Sequence, residues 1–172
     1  MARLLFIGDS LIEFFDWEKR FPDHTVYNLG IAGETVEGLA SRLKWVMSKV
    51  KEPDMVFIMS GINNMAMGNP DFVNTYRKVL QQIRRAWPSA AIVVHSLLPV
   101  LFRFISNEDI RHMNVRLKHL AAGEQVRYLD IHSAFLNEKG RPVAALLEDD
   151  GVHVSEEGYR VWSAEIEKLL ET

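Results

Sequence analysis

Five short apolar runs are spaced along the chain, and most of them are continuous rather than alternating with polar residues. Continuous runs of this length are typical of β-strands that are buried on both faces of a parallel sheet. The predicted strands cover residues 4–7, 25–29, 55–59, 91–94 and 126–131.

Segments with helical spacing separate these runs. In one of them Asn69 is the predicted N-cap and Pro70 the first helical residue, where a missing N–H is tolerated. Ser106 is the predicted N-cap of a second helix. The predicted inward faces of the four main helices are Val36, Leu39, Leu43 and Val46; Phe72, Tyr76, Val79, Leu80, Ile83 and Trp87; Ile110, Met113, Leu117 and Leu120; and Tyr159, Trp162, Ile166 and Leu169.

This alternation of strands and helices predicts an α/β fold with three layers, α/β/α. We expect a flavodoxin-like parallel sheet of about five strands in the order 2-1-3-4-5. The 172 residues contain no linker or internal repeat, so residues 1–172 are predicted to form a single domain. Residues 133–155 have little periodicity, and loops of that length in compact domains are usually functional or disordered.

Composition excludes several classes of function. There are no cysteines, which excludes disulfides, thiol catalysis and cysteine-based zinc sites. The net charge of −3 comes without runs of like charge, so no nucleic-acid partner is expected. Stable membrane insertion is not expected either, because no stretch approaches the roughly 20 apolar residues of a span. The apolar run after Met1-Ala-Arg3 is too short for a signal peptide, so the expected location is cytoplasmic.

Polar and glycine-rich segments follow the first three predicted strands. Ser10 follows the first strand, residues 28–33 follow the second, and residues 60–64 follow the third. In an open parallel sheet the carboxyl ends of the strands share one edge, where ligands bind. With the first strand between the other two, Ser10 is flanked by Gly33 and Asn63, which is where an oxyanion hole is expected.

The chain resembles the GDSL, or SGNH, hydrolase family, whose four motifs occur here in order. They are Gly8-Asp9-Ser10-Leu11, then Gly33, then Gly61-Ile-Asn63, and finally Asp150-Gly-Val-His153. A lone Gly-Asp-Ser is equally typical of a strand-to-helix turn with a capping residue. Four ordered motifs favour catalysis over that interpretation.

The resemblance implies a role for each of these residues. Ser10 is the expected nucleophile, His153 the general base and acid, and Asp150 the carboxylate that orients the imidazole. Asp149 is an alternative carboxylate, but its offset of four residues from His153 departs from the family pattern. The expected oxyanion donors are the N–H groups of Ser10 and Gly33 and the Asn63 amide. No metal and no cofactor is implied.

The third motif departs from the Gly-x-Asn-Asp of many family members, because Asn64 follows Asn63. An Asn-Asn pair resembles the branch of the platelet-activating-factor acetylhydrolases. The loops at this edge place Asn64, Met65 and Phe102 as candidate substrate contacts. The contact of Phe102 is equally compatible with packing between two copies, so a homodimer is a further expectation.

The predicted function is that of a serine esterase that hydrolyses small-acyl, lipid or acetyl esters through an acyl-enzyme. A carbohydrate acetylesterase is the alternative within the same chemistry, and it would need a more polar groove. A non-catalytic flavodoxin-like binding module is the alternative from another class. That module gives no reason for Asn63, Asp150 and His153 to occur together.

Overall fold

A computed structural model describes residues 1–171 of the chain. Its five strands are β1 (Arg3–Gly8), β2 (Thr25–Gly30), β3 (Met55–Met59), β4 (Ala91–His95) and β5 (Arg127–Leu129). They form one sheet in the order β2-β1-β3-β4-β5, and all neighbouring strands are parallel. The predicted fold class and strand order are therefore confirmed.

Helices cover the sheet and connect its strands. They are α1 (Ser10–Glu13), α2 (Trp17–Arg20), α3 (Val36–Lys49), α4 (Ile62–Ala66), α5 (Val73–Ala86), α6 (Asn107–Gly123) and α7 (Glu156–Leu170). Helix α5 packs between α3 and α6. Trp17 of α2 meets Trp162 of α7 edge-on, with ring centroids 5.3 Å apart. Trp17 also stacks on Phe6 of β1, which joins these two helices to the sheet.

Buried apolar side chains explain why β1 lies near the middle of the sheet. Every residue from Leu4 to Ile7 is fully buried, as expected for a strand that is covered on both faces. Phe6 stacks on Phe57 of β3 and Trp17 of α2. Within residues 1–171, no helix is both long enough and apolar enough to cross a bilayer.

The predicted start of α5 at Asn69 and Pro70 is wrong, because the helix begins at Val73. The Asn69 N–H donates to the Asn64 carbonyl at 2.8 Å, so Asn69 closes the turn that follows α4. Phe72 precedes the helix and is completely buried. The Phe72 ring packs on Gly61, and the helix starts directly after it. A capping pattern in the sequence does not report such a contact.

The last strand is shorter than predicted, since β5 ends at Leu129 rather than at residue 131. Asp130 accepts hydrogen bonds from the Ser133 N–H and hydroxyl, at 3.1 and 2.7 Å, and turns the chain away from the sheet. The segment 133–155 contains two short 3-10 helices, Ser133–Phe135 and Ala144–Leu146. Two isolated antiparallel bridges, Leu136 with Pro142 and Leu147 with Val154, add further order to it.

Candidate active site

The turn after β1 presents Ser10 at the carboxyl edge of the sheet. Gly8 ends the strand with φ of +153°, and a Cβ at this position would lie 1.9 Å from the Met59 carbonyl oxygen. Only glycine therefore allows β1 and β3 to approach so closely here. Asp9 caps α1 by accepting a hydrogen bond from the Leu11 N–H at 3.0 Å, and Ser10 begins that helix.

A turn near the other end of the chain brings His153 to Ser10. His153 Nε2 lies 3.1 Å from Ser10 Oγ, although the two residues are 143 positions apart. His153 Nδ1 lies 2.5 Å from Asp150 Oδ2. The geometry thus arranges a hydroxyl, an imidazole and a carboxylate in the order that proton transfer from the hydroxyl requires.

Asp150, and not its neighbour Asp149, makes these contacts. Its Oδ1 also accepts the N–H groups of Val152 and His153, at 2.8 and 2.9 Å. Partial burial opposes ionisation of Asp150, but the hydrogen bonds from the His153 ring and from the two N–H groups outweigh it. Together they lower the pKa of Asp150 to about 2. The carboxylate is therefore charged at neutral pH and favours a proton on His153 Nδ1.

Gly33 lies on the loop that follows β2, and Asn63 lies on the short helix α4 that follows β3, so the two residues are on either side of β1. Gly33 has φ of +76°, and a Cβ built there meets no atom within 4 Å. The backbone conformation, rather than crowding, is what favours glycine at this position. The Asn63 Nδ2 donates to the Glu34 carbonyl at 2.9 Å, which leaves its second hydrogen for another acceptor.

The carboxyl group of Asp9, the residue directly before Ser10, has an unusual environment. It is completely buried, and among residues 1–171 its Oδ2 has no hydrogen-bond partner. Burial raises the pKa of Asp9 to about 7, and the hydrogen bond from the Leu11 N–H only partly offsets this. The site therefore holds a carboxyl group that stays largely neutral up to about pH 7.

The three candidate substrate contacts have different environments. Asn64 is completely buried and uses both amide atoms on α3, so the structure contradicts its assignment as a substrate contact. Met65 is partly buried and lines a cavity of about 380 Å³ with Pro70, His112 and Arg116 among its walls. Phe102 is 37% exposed and packs edge-on against Phe104.

An apolar rim lies at the carboxyl edge of the sheet, the edge that also carries Ser10. It comprises exposed residues from the loops after four successive strands: Phe14, Ile31, Met67, Leu101, Phe102 and Phe104. The Phe14 ring lies 5.4 Å from the His153 ring, centroid to centroid. The Leu101 N–H donates to the Gly151 carbonyl at 2.8 Å, which attaches the rim to the turn that carries His153.

Sequence reasoning gave Phe14 no position beside His153. Its place after the first predicted strand put it at the carboxyl edge of the sheet, but aromatic residues at helical spacing are more often part of a core. Its contact with His153 depends on how α1 and residues 150–153 meet in three dimensions.

His95 lies in the core. It is fully buried, and its Nδ1 accepts a hydrogen bond from Trp162 Nε1 at 3.2 Å. Burial lowers the pKa of His95 to about 3, so the ring is neutral at ordinary pH. Within the described residues, no group of three or more His, Asp or Glu side chains is arranged to hold a metal ion.

Comparison with known sequences gives a family match over most of the chain. The model of the GDSL-like lipase/acylhydrolase family matches residues 6–161. Subunit alpha2 of platelet-activating factor acetylhydrolase IB from Rattus norvegicus is 26% identical over 146 residues, which is 80% of this chain and 62% of that protein. Subunit alpha1 from Bos taurus is 25% identical over 176 residues, which is 97% of this chain and 74% of that protein. The chain thus spans about 62% of the length of the alpha2 relative.

Solved structures show the same architecture. A protein from Streptococcus pneumonia, provisionally described as a platelet activating factor, superposes with a TM-score of 0.89 at 26% identity, covering 97% of this chain and 83% of that one. An acetyl xylan esterase from Geobacillus stearothermophilus superposes with a TM-score of 0.77 at 21% identity, covering 96% of this chain and 92% of that one. The second likeness concerns the fold alone.

Proposed function

We propose that this chain, which belongs to the GDSL-like lipase/acylhydrolase family, is a carboxylic ester hydrolase with Ser10, His153 and Asp150 as its catalytic triad. The observation that carries this proposal is the pair of contacts made by His153. Its Nε2 lies 3.1 Å from Ser10 Oγ and its Nδ1 lies 2.5 Å from Asp150 Oδ2. Family membership also sets aside the non-catalytic binding module.

The proposed reaction has two halves. In the first, His153 Nε2 takes the proton of Ser10 as Oγ attacks the ester carbonyl, and the tetrahedral intermediate then expels the alcohol, which receives that proton. In the second, His153 takes a proton from water, and the hydroxide attacks the acyl-enzyme. The acid is released and the proton returns to Ser10. Asp150 keeps Nδ1 protonated throughout, so that Nε2 faces Ser10 as a base.

Three donors are proposed to bind the oxyanion, namely the N–H groups of Ser10 and Gly33 and the Asn63 amide. Their positions at the ends of β1, β2 and β3 support this, because these strands are neighbours in the sheet. Donors fixed before the reaction stabilise the charge that develops on the carbonyl oxygen without reorganisation. Replacement of Asn63 by alanine is expected to lower kcat by about 10²- to 10³-fold.

The apolar rim favours esters with an apolar group near the scissile bond as substrates, rather than carbohydrate esters. Phe14 is 59% exposed beside His153, Phe104 is 67% exposed on the loop after β4, and exposed apolar patches are typical of binding surfaces. The only charged residue between Leu97 and Ile105 is Arg103, whose guanidinium lies 4.5 Å from the Phe104 ring. A carbohydrate acetylesterase, the second candidate, would need more hydrogen-bonding side chains here than this segment offers.

Hydrolysis of p-nitrophenyl esters by wild type and Ser10→Ala tests the proposed nucleophile. We expect Ser10→Ala to lose at least about 10³-fold in kcat, as loss of a triad member does in other enzymes. Ser48→Ala is the matched control, because Ser48 is exposed on α3 and its hydroxyl bonds only the Trp45 carbonyl. Equal rates for wild type and Ser10→Ala, or failure of a serine-directed phosphonate to label Ser10, would refute the proposal.

An acyl-length series in the same assay tests the substrate class. Phe104→Ser is expected to lower kcat/KM for butyrate and hexanoate esters more than for acetate, because only the longer chains reach the rim. If acetylated xylooligosaccharides are hydrolysed faster than all p-nitrophenyl esters, and Phe104→Ser has no effect, the carbohydrate alternative is correct instead.

A further inference from the structure

A buried ion pair anchors the loop that carries Gly33. The Glu34 carboxylate accepts hydrogen bonds from Arg42 Nε at 2.5 Å and from Nη2 at 2.7 Å. The two side chains are only 7% and 13% exposed. Arg42 Nη2 also donates to the Leu29 carbonyl at 2.8 Å. Arg42 therefore connects α3 both to the end of β2 and to the loop that follows it.

Stability alone is a poor explanation for this pair. Buried ion pairs add little net stability, because the loss of hydration offsets their attraction. Arg42 Nη1 is also buried, and no residue from 1 to 171 gives it a hydrogen-bond acceptor, which adds a further cost. A bidentate guanidinium–carboxylate contact does, however, fix the relative position of both side chains.

Glu34, one member of this ion pair, lies between two of the proposed oxyanion donors, the Gly33 N–H and the Asn63 amide. Glu34 directly follows Gly33, so only the two backbone torsions of Gly33 separate the Gly33 N–H from the peptide group that Gly33 shares with Glu34. The Glu34 carbonyl accepts the hydrogen bond from Asn63 Nδ2 at 2.9 Å. A displacement of Glu34 would therefore move the Gly33 N–H and the Asn63 amide relative to each other.

Asn64 provides a second attachment between the loop after β3 and α3. Its Oδ1 accepts the Val36 N–H at 2.9 Å, and its Nδ2 donates to Glu37 Oε2 at 2.7 Å. An aspartate at this position could also accept from Val36, but it would face the Glu37 carboxylate at hydrogen-bond distance. In this chain, asparagine at position 64 and glutamate at position 37 therefore match as donor and acceptor.

We infer that the Glu34–Arg42 and Asn64–Glu37 contacts form a clamp of positioning residues, which sets the geometry between the Gly33 N–H and the Asn63 amide. This inference rests on the proposed oxyanion role of Gly33 and Asn63. It also assigns the Asn-Asn pair of the third motif to two different tasks. Asn63 is the proposed donor to the oxyanion. Asn64 attaches its own segment to α3, the helix that follows the other donor, Gly33.

The clamp predicts a specific kinetic signature. Charge develops on the carbonyl oxygen only in the transition state, so misplaced donors lower kcat while substrate binding changes little. Asn64→Asp is expected to lower kcat for p-nitrophenyl acetate by about 10- to 100-fold, less than complete loss of one donor. KM is expected to stay within about threefold of wild type, because Asn64 is buried away from substrate.

Compensation at position 37 distinguishes the clamp from general damage. Glu37→Gln alone keeps an acceptor for Asn64 Nδ2 and is expected to be close to wild type. In Asn64→Asp/Glu37→Gln the hydrogen bond is reversed, since the glutamine amide donates to the aspartate carboxylate. The double variant is expected to recover at least about tenfold of the lost kcat, which is a strongly non-additive cycle.

Several outcomes overturn the inference. They are an unchanged kcat in Asn64→Asp, a KM increase that accounts for the whole loss, and a double variant no better than Asn64→Asp. If Asn64→Asp does not fold, Arg42→Lys replaces it, because lysine keeps the charge but lacks the bidentate geometry. Arg42→Lys is expected to lower kcat about tenfold at constant KM, and an unchanged kcat refutes the clamp. Full activity of Ser10→Ala would instead refute the proposed function itself.

Discussion

The buried carboxyl group of Asp9 allows a quantitative test of the electrostatics beside the nucleophile. Asp9→Asn keeps the Oδ1 acceptor that caps α1 through the Leu11 N–H, and it keeps nearly the same shape. It removes only the proton equilibrium of the side chain. The variant should therefore differ from wild type mainly in how its free energy of unfolding depends on pH.

The magnitude follows from the pKa. Burial raises the pKa of Asp9 from 3.8 to about 7, and each pKa unit corresponds to about 1.4 kcal/mol. The unfolded chain releases this proton near pH 4, whereas the folded protein keeps it until about pH 7. Stability from this group is thus greatest below pH 4 and falls as pH rises towards 7. The total loss is about 4 kcal/mol, and Asp9→Asn should not show it.

Urea unfolding of wild type and Asp9→Asn at pH 4 and pH 8 measures this effect. The difference between the two proteins cancels the contributions of other titrating groups, and it should shift in favour of Asp9→Asn by about 4 kcal/mol between the two pH values. Asp54→Asn is a control of opposite sign, because the hydrogen bond from Arg3 lowers the pKa of Asp54. A difference for Asp9→Asn that stays constant within about 1 kcal/mol would show that the Asp9 carboxylate is stabilised in the fold, and would refute the reasoning.

Three further predictions concern single side chains. Asp150→Asn is expected to lower kcat for p-nitrophenyl acetate by about 10³-fold or more and Asp149→Asn by less than about twofold, and equal losses would contradict the assignment of the carboxylate. Gly8→Ala is expected to lower the free energy of unfolding by more than about 3 kcal/mol, because the alanine Cβ would collide with the Met59 carbonyl oxygen. A free energy of unfolding close to wild type in urea denaturation would disprove the close contact between Gly8 and Met59. Burial lowers the pKa of His95 to about 3, so its contribution to stability is present above pH 6.5 and is lost as pH falls. In urea unfolding at several pH values, His95→Gln should therefore lose less free energy of unfolding towards low pH than wild type. The same pH dependence in both proteins would contradict this prediction.

The sequence predicted the parts of the fold that depend on local pattern. The apolar runs at residues 4–7 and 55–59 are strands of the sheet, and continuous burial leaves an unbroken apolar run that can be recognised without coordinates. The order of the strands was predicted by analogy with flavodoxin-like sheets, in which the first strand lies between the second and the third. The start of α5 did not follow, since Asn69 closes the turn after α4 and the Phe72 ring packs on Gly61, and neither contact is visible in a capping pattern.

The same division applies to the candidate site. Ser10 and His153 could be selected by their motifs, and the structure places their side chains 3.1 Å apart. The environment of Asn64 could not be foreseen, because it depends on an acceptor on another helix, Glu37. The raised pKa of Asp9 was equally hidden, since the residue resembles any N-cap until its burial is known.

The hydrogen bond from the Tyr159 hydroxyl to the Leu11 carbonyl, at 2.9 Å, has a consequence for how the protein matures. It joins the last helix to the turn that holds Ser10, and His153 lies just before that helix. In a growing chain Ser10 is therefore made 143 residues before His153, its proposed base. During refolding, the appearance of esterase activity should coincide with docking of α7, which the fluorescence of Trp17 and Trp162 reports. Chemical reactivity in this protein thus marks the docking of α7 and His153 on the turn that holds Ser10.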